Sequence, residues 1–145
     1  MRVLWLPLAL ACVGVSSLAS DSEYVSISVS FQAPAKPDAL GSINVTFSPK
    51  DPDVHVNEEP APRLKLDAQD VLVDRQAPPP TKVHTFDPTD VKYLDTTFPL
   101  PFPVAWAGKP PKATRTVTAT VVYAYCSQRE GWCRKGSEDV AFNVP

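Results

Sequence analysis

The sequence predicts an all-β chain folded as an antiparallel sandwich, and three observations carry that expectation. Seventeen prolines stand against five glycines and are scattered along the chain. Proline lacks an amide donor and clashes with the preceding helical turn, so little room is left for a long helix. Beyond the first twenty residues no window repeats apolar residues at i, i+3, i+4 and i+7 over three turns; single turns near Ala68 or Leu94 are the helix candidates. What recurs is a short run of alternating apolar and polar residues, closed by proline, Asp, Asn or Gly, at a spacing suited to a β-sandwich.

Residues 1–20 read as an export signal. Arg2 forms a short positive region and residues 3–15 an apolar stretch too short to span a bilayer. Ser17-Leu18-Ala19 supplies small residues for cleavage after Ala19 or Ser20. A competing reading acylates Cys12 as a lipoprotein anchor, with Ala9 where a leucine usually stands. No later run is long and apolar enough to cross a membrane. The expectation is an exported protein, periplasmic or secreted, with residues 21–145 as one domain of about 125 residues around one core. The formal charge of −2 becomes about −3 once Arg2 leaves. With no basic cluster, that balance argues against a nucleic-acid partner.

Residues 23–31 (EYVSISVSF) alternate Val25, Ile27, Val29 and Phe31 against serines, the pattern of a half-buried strand. After a proline-marked loop at 33–40, Gly41 opens a second strand with Ile43, Val45 and Phe47 inward, placed to pair with the first. Residues 48–53 (SPKDPD) form a turn and 54–57 (VHVN) a short strand. Leu64 with Leu66, and Val71 with Val73, are short apolar pairs. Residues 77–80 (APPP) are a surface loop, since consecutive prolines cannot serve an interior strand. Residues 82–86 offer a further strand, and 87–97 a polar connection anchored by Tyr93 and Leu94. In 98–106 (FPLPFPVAW) prolines at every second position confine hydrogen bonding to one side. That stretch is expected as an edge strand, or an extended segment over the core, with its aromatics as core anchors.

The organising stretch is 114–144. Val117, Ala119, Val121, Tyr123 and Tyr125 alternate with threonines on one strand, and Val140, Phe142 and Val144 alternate with polar residues on another. The intervening turn, 127–132, is flanked by Cys126 and Cys133. Loss of the leader removes Cys12, so an exported chain keeps these two cysteines, which read first as a disulfide. As a brace, the bond would stabilise by about 2–3 kcal/mol through closing an eight-residue loop. As an exchange centre it needs one accessible sulfur and a stabilised thiolate, for which Arg129, Arg134 and Lys135 are the nearby cations; Tyr125 and Trp132 flank it as shields or docking surface. Metal binding by the cysteines with His55 and His84 finds no ligand-like spacing. Without an axial methionine a copper site is disfavoured, and no hydrolase elbow is present. No cofactor or metal is expected.

The order of motifs also resembles a family. GSINVTF leads through a proline turn into VHVN; FPLPFPV follows, then VYAYC, then a second cysteine directly after Gly-Trp. Over residues 41–145 this is similar to the N-terminal domain of DsbD, the transmembrane thiol:disulfide interchange protein, and its free-standing exported relatives. The resemblance implies an immunoglobulin-like sandwich with Cys126 and Cys133 on adjacent strands. In redox-active members that pair takes electrons from a membrane partner and reduces exported proteins, so a thioredoxin-like redox protein is the implied partner. The alternative is a non-catalytic exported module whose disulfide is structural.

Overall fold

A computed structural model describes residues 20–67, 69–75, 83–85 and 92–145. Residues 1–19 of the leader, Cys12 among them, the helix candidate at Ala68 and the APPP loop lie outside them. Eleven strands and no helix are found among the described residues. Five form one antiparallel sheet, in the order β1 (Ser20–Asp21), β2 (Val25–Gln32), β3 (Gly41–Pro49), β9 (Leu100–Trp106), β6 (Leu72–Asp74). A second sheet places β11 (Trp132–Val144) against β10 (Arg115–Ser127), whose other edge is shared by β4 (Val54–Val56) and β5 (Arg63–Leu66). The short strands β7 (Val83–Thr85) and β8 (Lys92–Leu94) pair with each other.

The two large sheets pack face to face as a β-sandwich. Alternation along each strand sends one set of side chains inward. Val25, Ile27 and Val29 of β2, Ile43, Val45 and Phe47 of β3, and Leu100, Phe102 and Val104 of β9 meet Val117, Ala119, Val121 and Tyr123 of β10 and Val140, Phe142 and Val144 of β11. Phe31 stacks on Phe142 with ring centroids 5.7 Å apart, tying β2 to the edge strand β11. Each fully buried Val or Ile contributes on the order of 1.5–3 kcal/mol, so the alternating pattern supplies the main drive for closing the sandwich.

Four local expectations are revised. The proline-bearing β9 lies inside its sheet, between β3 and β6. Its residues 100–104 pair with β3, whereas its pairing with β6 runs only from Val104 to Trp106. Pro101 and Pro103 have no amide to offer, so Leu100, Phe102 and Val104 must donate toward β3. Past the last proline the other side becomes usable: the Pro103 carbonyl accepts from Arg75 N at 3.3 Å. Phe98 is 52% exposed and anchors nothing in the core, unlike Phe102. The region around Leu94, read as connection or helical turn, is strand β8, with Tyr93 and Leu94 buried as anchors. In the 71–73 pair it is Val71 and Leu72 that are buried, with Val73 only partly so.

Candidate functional site

The site is the tip of the β10–β11 hairpin. Thirteen consecutive residue pairs join these strands, from Arg115 opposite Val144 to Ser127 opposite Trp132. The four-residue loop between them closes with Gly131 N donating to Ser127 O at 2.9 Å, and Gly131 sits at φ +71°, where a side chain would be strained. Farther down, Gly136 faces Tyr123. A Cβ built at Gly136 would stand 2.4 Å from the Tyr123 ring, so only glycine lets the phenol lie across the neighbouring strand.

An acidic turn clamps the loop. Asp53 Oδ2 accepts from Ser127 Oγ at 2.9 Å and from Arg129 N at 2.6 Å, while Gln128 N donates to Asp53 O at 3.2 Å. Arg129 also reaches Asp51, with Nη2 donating to Oδ2 at 3.1 Å. Asp51 in turn accepts from Asp53 N at 2.9 Å, which shapes the turn that presents both carboxylates. Trp132 Nε1 donates to Glu130 Oε2 at 2.5 Å, fixing the indole beside the loop.

Cys126 and Cys133 are direct cross-strand partners and are disulfide-bonded, with Cα atoms 4.0 Å apart. Two sulfurs on neighbouring strands are therefore within bonding reach. The two cysteines differ in access: Cys126 is 4% exposed, whereas Cys133 on the edge strand is open to solvent. The register also puts His55 of β4 opposite Cys126, so His55, Cys126 and Cys133 form one row across three strands. The His55 ring lies 4.9 Å from that of buried Tyr93, which belongs to the β7–β8 pair. Glu58 N donating to Lys92 O at 2.9 Å, and a bridge between Asn57 and Tyr93, hold β8 there. Burial and the charge of Asp53 push the Tyr93 phenol above its ordinary pKa.

The three nearby cations part ways. Arg129 is engaged by Asp51 and Asp53. Arg134 points to the opposite face of the hairpin, its guanidinium 4.4 Å from the Trp132 ring and 5.0 Å from that of Tyr24. Tyr24, Tyr125 and Trp132 form an aromatic cluster around it, with centroids 5.0–6.0 Å apart. Lys135, two residues along β11 from Cys133, alone shares the disulfide's face. Of the flanking aromatics, then, Tyr125 and Trp132 lie behind the bond.

Asp51, Asp53 and Tyr93 are the site residues that sequence reasoning missed, and His55, weighed there only as a metal ligand, joins them. The Asp-Pro-Asp turn was visible, but its grip on a loop more than seventy residues later is a tertiary fact. His55 faces Cys126, while His84 is in β7, opposite Tyr93. Among the described residues no group of three or more His, Cys, Asp or Glu is arranged to hold a metal ion. No helix of the described residues is long and apolar enough to cross a membrane. Compared with protein-family models, curated proteins and solved structures, the chain matches none.

Proposed function

We propose that the chain is an exported thiol–disulfide exchange module with an immunoglobulin-like sandwich, similar in role to the DsbD N-terminal domain, and that Cys126 and Cys133 are its redox pair. The observation that carries this reading is the asymmetry of the bond: one sulfur belongs to a buried residue and the other to an exposed one on an edge strand. A bond closing eight residues at the end of a thirteen-pair ladder also adds little constraint that the hairpin lacks, because loop-closure gain grows with loop length.

In the exchange, a thiolate of a thioredoxin-like dithiol protein attacks Cys133 Sγ. The Cys126–Cys133 bond breaks, and Cys126 leaves as a thiolate that takes a proton from solvent. The partner's second thiolate then attacks the partner sulfur of the mixed disulfide and expels Cys133, which is protonated in turn. Two electrons and two protons have passed to this chain, and the partner is oxidised to its disulfide. The reverse sequence hands them to a disulfide of another exported protein.

A structural brace is favoured by one observation: Arg129 and Arg134 are both committed elsewhere, which leaves Lys135 as the cation facing the pair. Trapping separates the readings. The oxidised native protein is incubated with a thioredoxin lacking its resolving cysteine, then alkylated and mapped by mass. Exchange predicts an adduct on Cys133 under native conditions. An adduct that forms only after unfolding assigns the bond to bracing.

A further inference from the structure

The outer face of the second sheet carries a groove that begins beside the disulfide. β10 pairs with β5 through residues 119–122 and with β4 through residues 125–127, so at Tyr123 and Ala124 neither strand pairs with it, and Asn57 N donating to Ala124 O at 2.8 Å is the last bond before the chain leaves that edge. The chain linking β4 to β5 peels away there and leaves a groove of about 410 Å³. Val122, Ala124, Pro60 and Ala61 give it apolar walls, and Arg63, Lys65 and Lys135 supply its charge; no carboxylate lines it. None of these three cations is in an ion pair with a described residue. The register arranges them in steps from the redox pair. Cys126 opposite Cys133 is followed by Ala124 opposite Lys135, then by Val122 opposite Arg63, then by Thr120 opposite Lys65. Each step is two residues, or about 6.7 Å.

This chain is acidic overall, so three cations along one slot, none paired with a described residue, stand out against its own charge. An extended peptide has the same two-residue repeat as the strand beneath it, and carboxylates at alternate positions would meet the cations in succession. We propose that the groove receives an extended acidic segment of the exchange partner and so delivers the partner's cysteine to Cys133. This rests on the exchange reading for its purpose, though not for the binding itself.

Two peptides separate the questions. The first carries glutamates at alternate positions and a serine in place of cysteine, and its binding is followed by chemical-shift changes at Val122, Ala124 and Lys135. Saturable binding is expected at low salt, weakened roughly tenfold by the combined Arg63→Glu, Lys65→Glu and Lys135→Glu variant and by raised ionic strength. Lys36→Glu, in the loop joining β2 to β3, should leave it unchanged. Equal binding of an otherwise identical glutamine peptide, or no saturable binding, overturns the groove assignment. The second peptide restores the cysteine, and its reaction with the disulfide is timed against dithiothreitol. Faster reaction than the glutamine version, lost in the Arg63→Glu, Lys65→Glu double variant while the dithiothreitol rate holds, is the expected outcome. Binding without reaction leaves the groove standing and refutes the exchange reading; reaction at equal rates for both peptides does the reverse.

Discussion

Tyr123 shows how much one residue can depend on its cross-strand neighbour. Its ring occupies the space that Gly136 leaves, and its hydroxyl is buried with no hydrogen-bond partner. Ser22 and Glu138 are close enough to influence its ionisation, yet neither meets it with bonding geometry. Burial, the largest influence, outweighs an opposing pull from Ser22 and, with a smaller push from the Glu138 charge, raises the phenol to about 12. A raised phenol pKa means that the folded state holds the proton more tightly. Its contribution is therefore complete below the unfolded value of about 10 and is lost as pH rises through about 12. Removing an unpartnered buried hydroxyl costs little, so Tyr123→Phe should change neutral-pH stability by less than about 1 kcal/mol. The same variant should flatten the alkaline fall in stability without abolishing it, since Tyr93 is also raised. Urea unfolding from pH 8 to 12 measures both effects.

At the scale of elements, the hairpin tip depends on a turn from the far side of its sheet. Asp53 gathers the side chain of buried Ser127 and the backbone of the loop at once. Asp53→Ala removes the acceptor for both, and a cost of about 1–3 kcal/mol is expected in denaturant unfolding, with faster amide exchange at Arg129. Unchanged stability would mean that the loop holds its shape alone. The long strands β2, β3 and β10 and the second half of β11 were legible in the sequence because three to five alternating apolar positions share one face. Their inward residues are buried, Phe31 only partly. β8 was not legible, because three residues cannot display a period and its pairing with β7 is a tertiary event. β9 was legible as one-sided hydrogen bonding but not as an interior strand. That outcome depends on β6 arriving only beyond Pro103.

At the scale of the whole molecule, a ladder of thirteen cross-strand pairs between β10 and β11 brings the two cysteines opposite each other. The hydrophobic faces of both strands bury independently of Cys126 and Cys133. The cysteine pair and its partnership were legible from their spacing together with the expectation of export. Its one-sided exposure was not, because that follows from β11 being an edge strand and β4 covering Cys126. The dispersal of the neighbouring cations was equally hidden: adjacent residues in a strand point to opposite faces, and Arg129 was captured by a distant turn. The central claim, that this disulfide exchanges electrons, is tested most directly by its reduction potential in graded glutathione or dithiothreitol buffers, read as the fraction of free thiol in the folded protein. A potential clearly more oxidising than about −300 mV is the predicted result, and one below that value contradicts the claim.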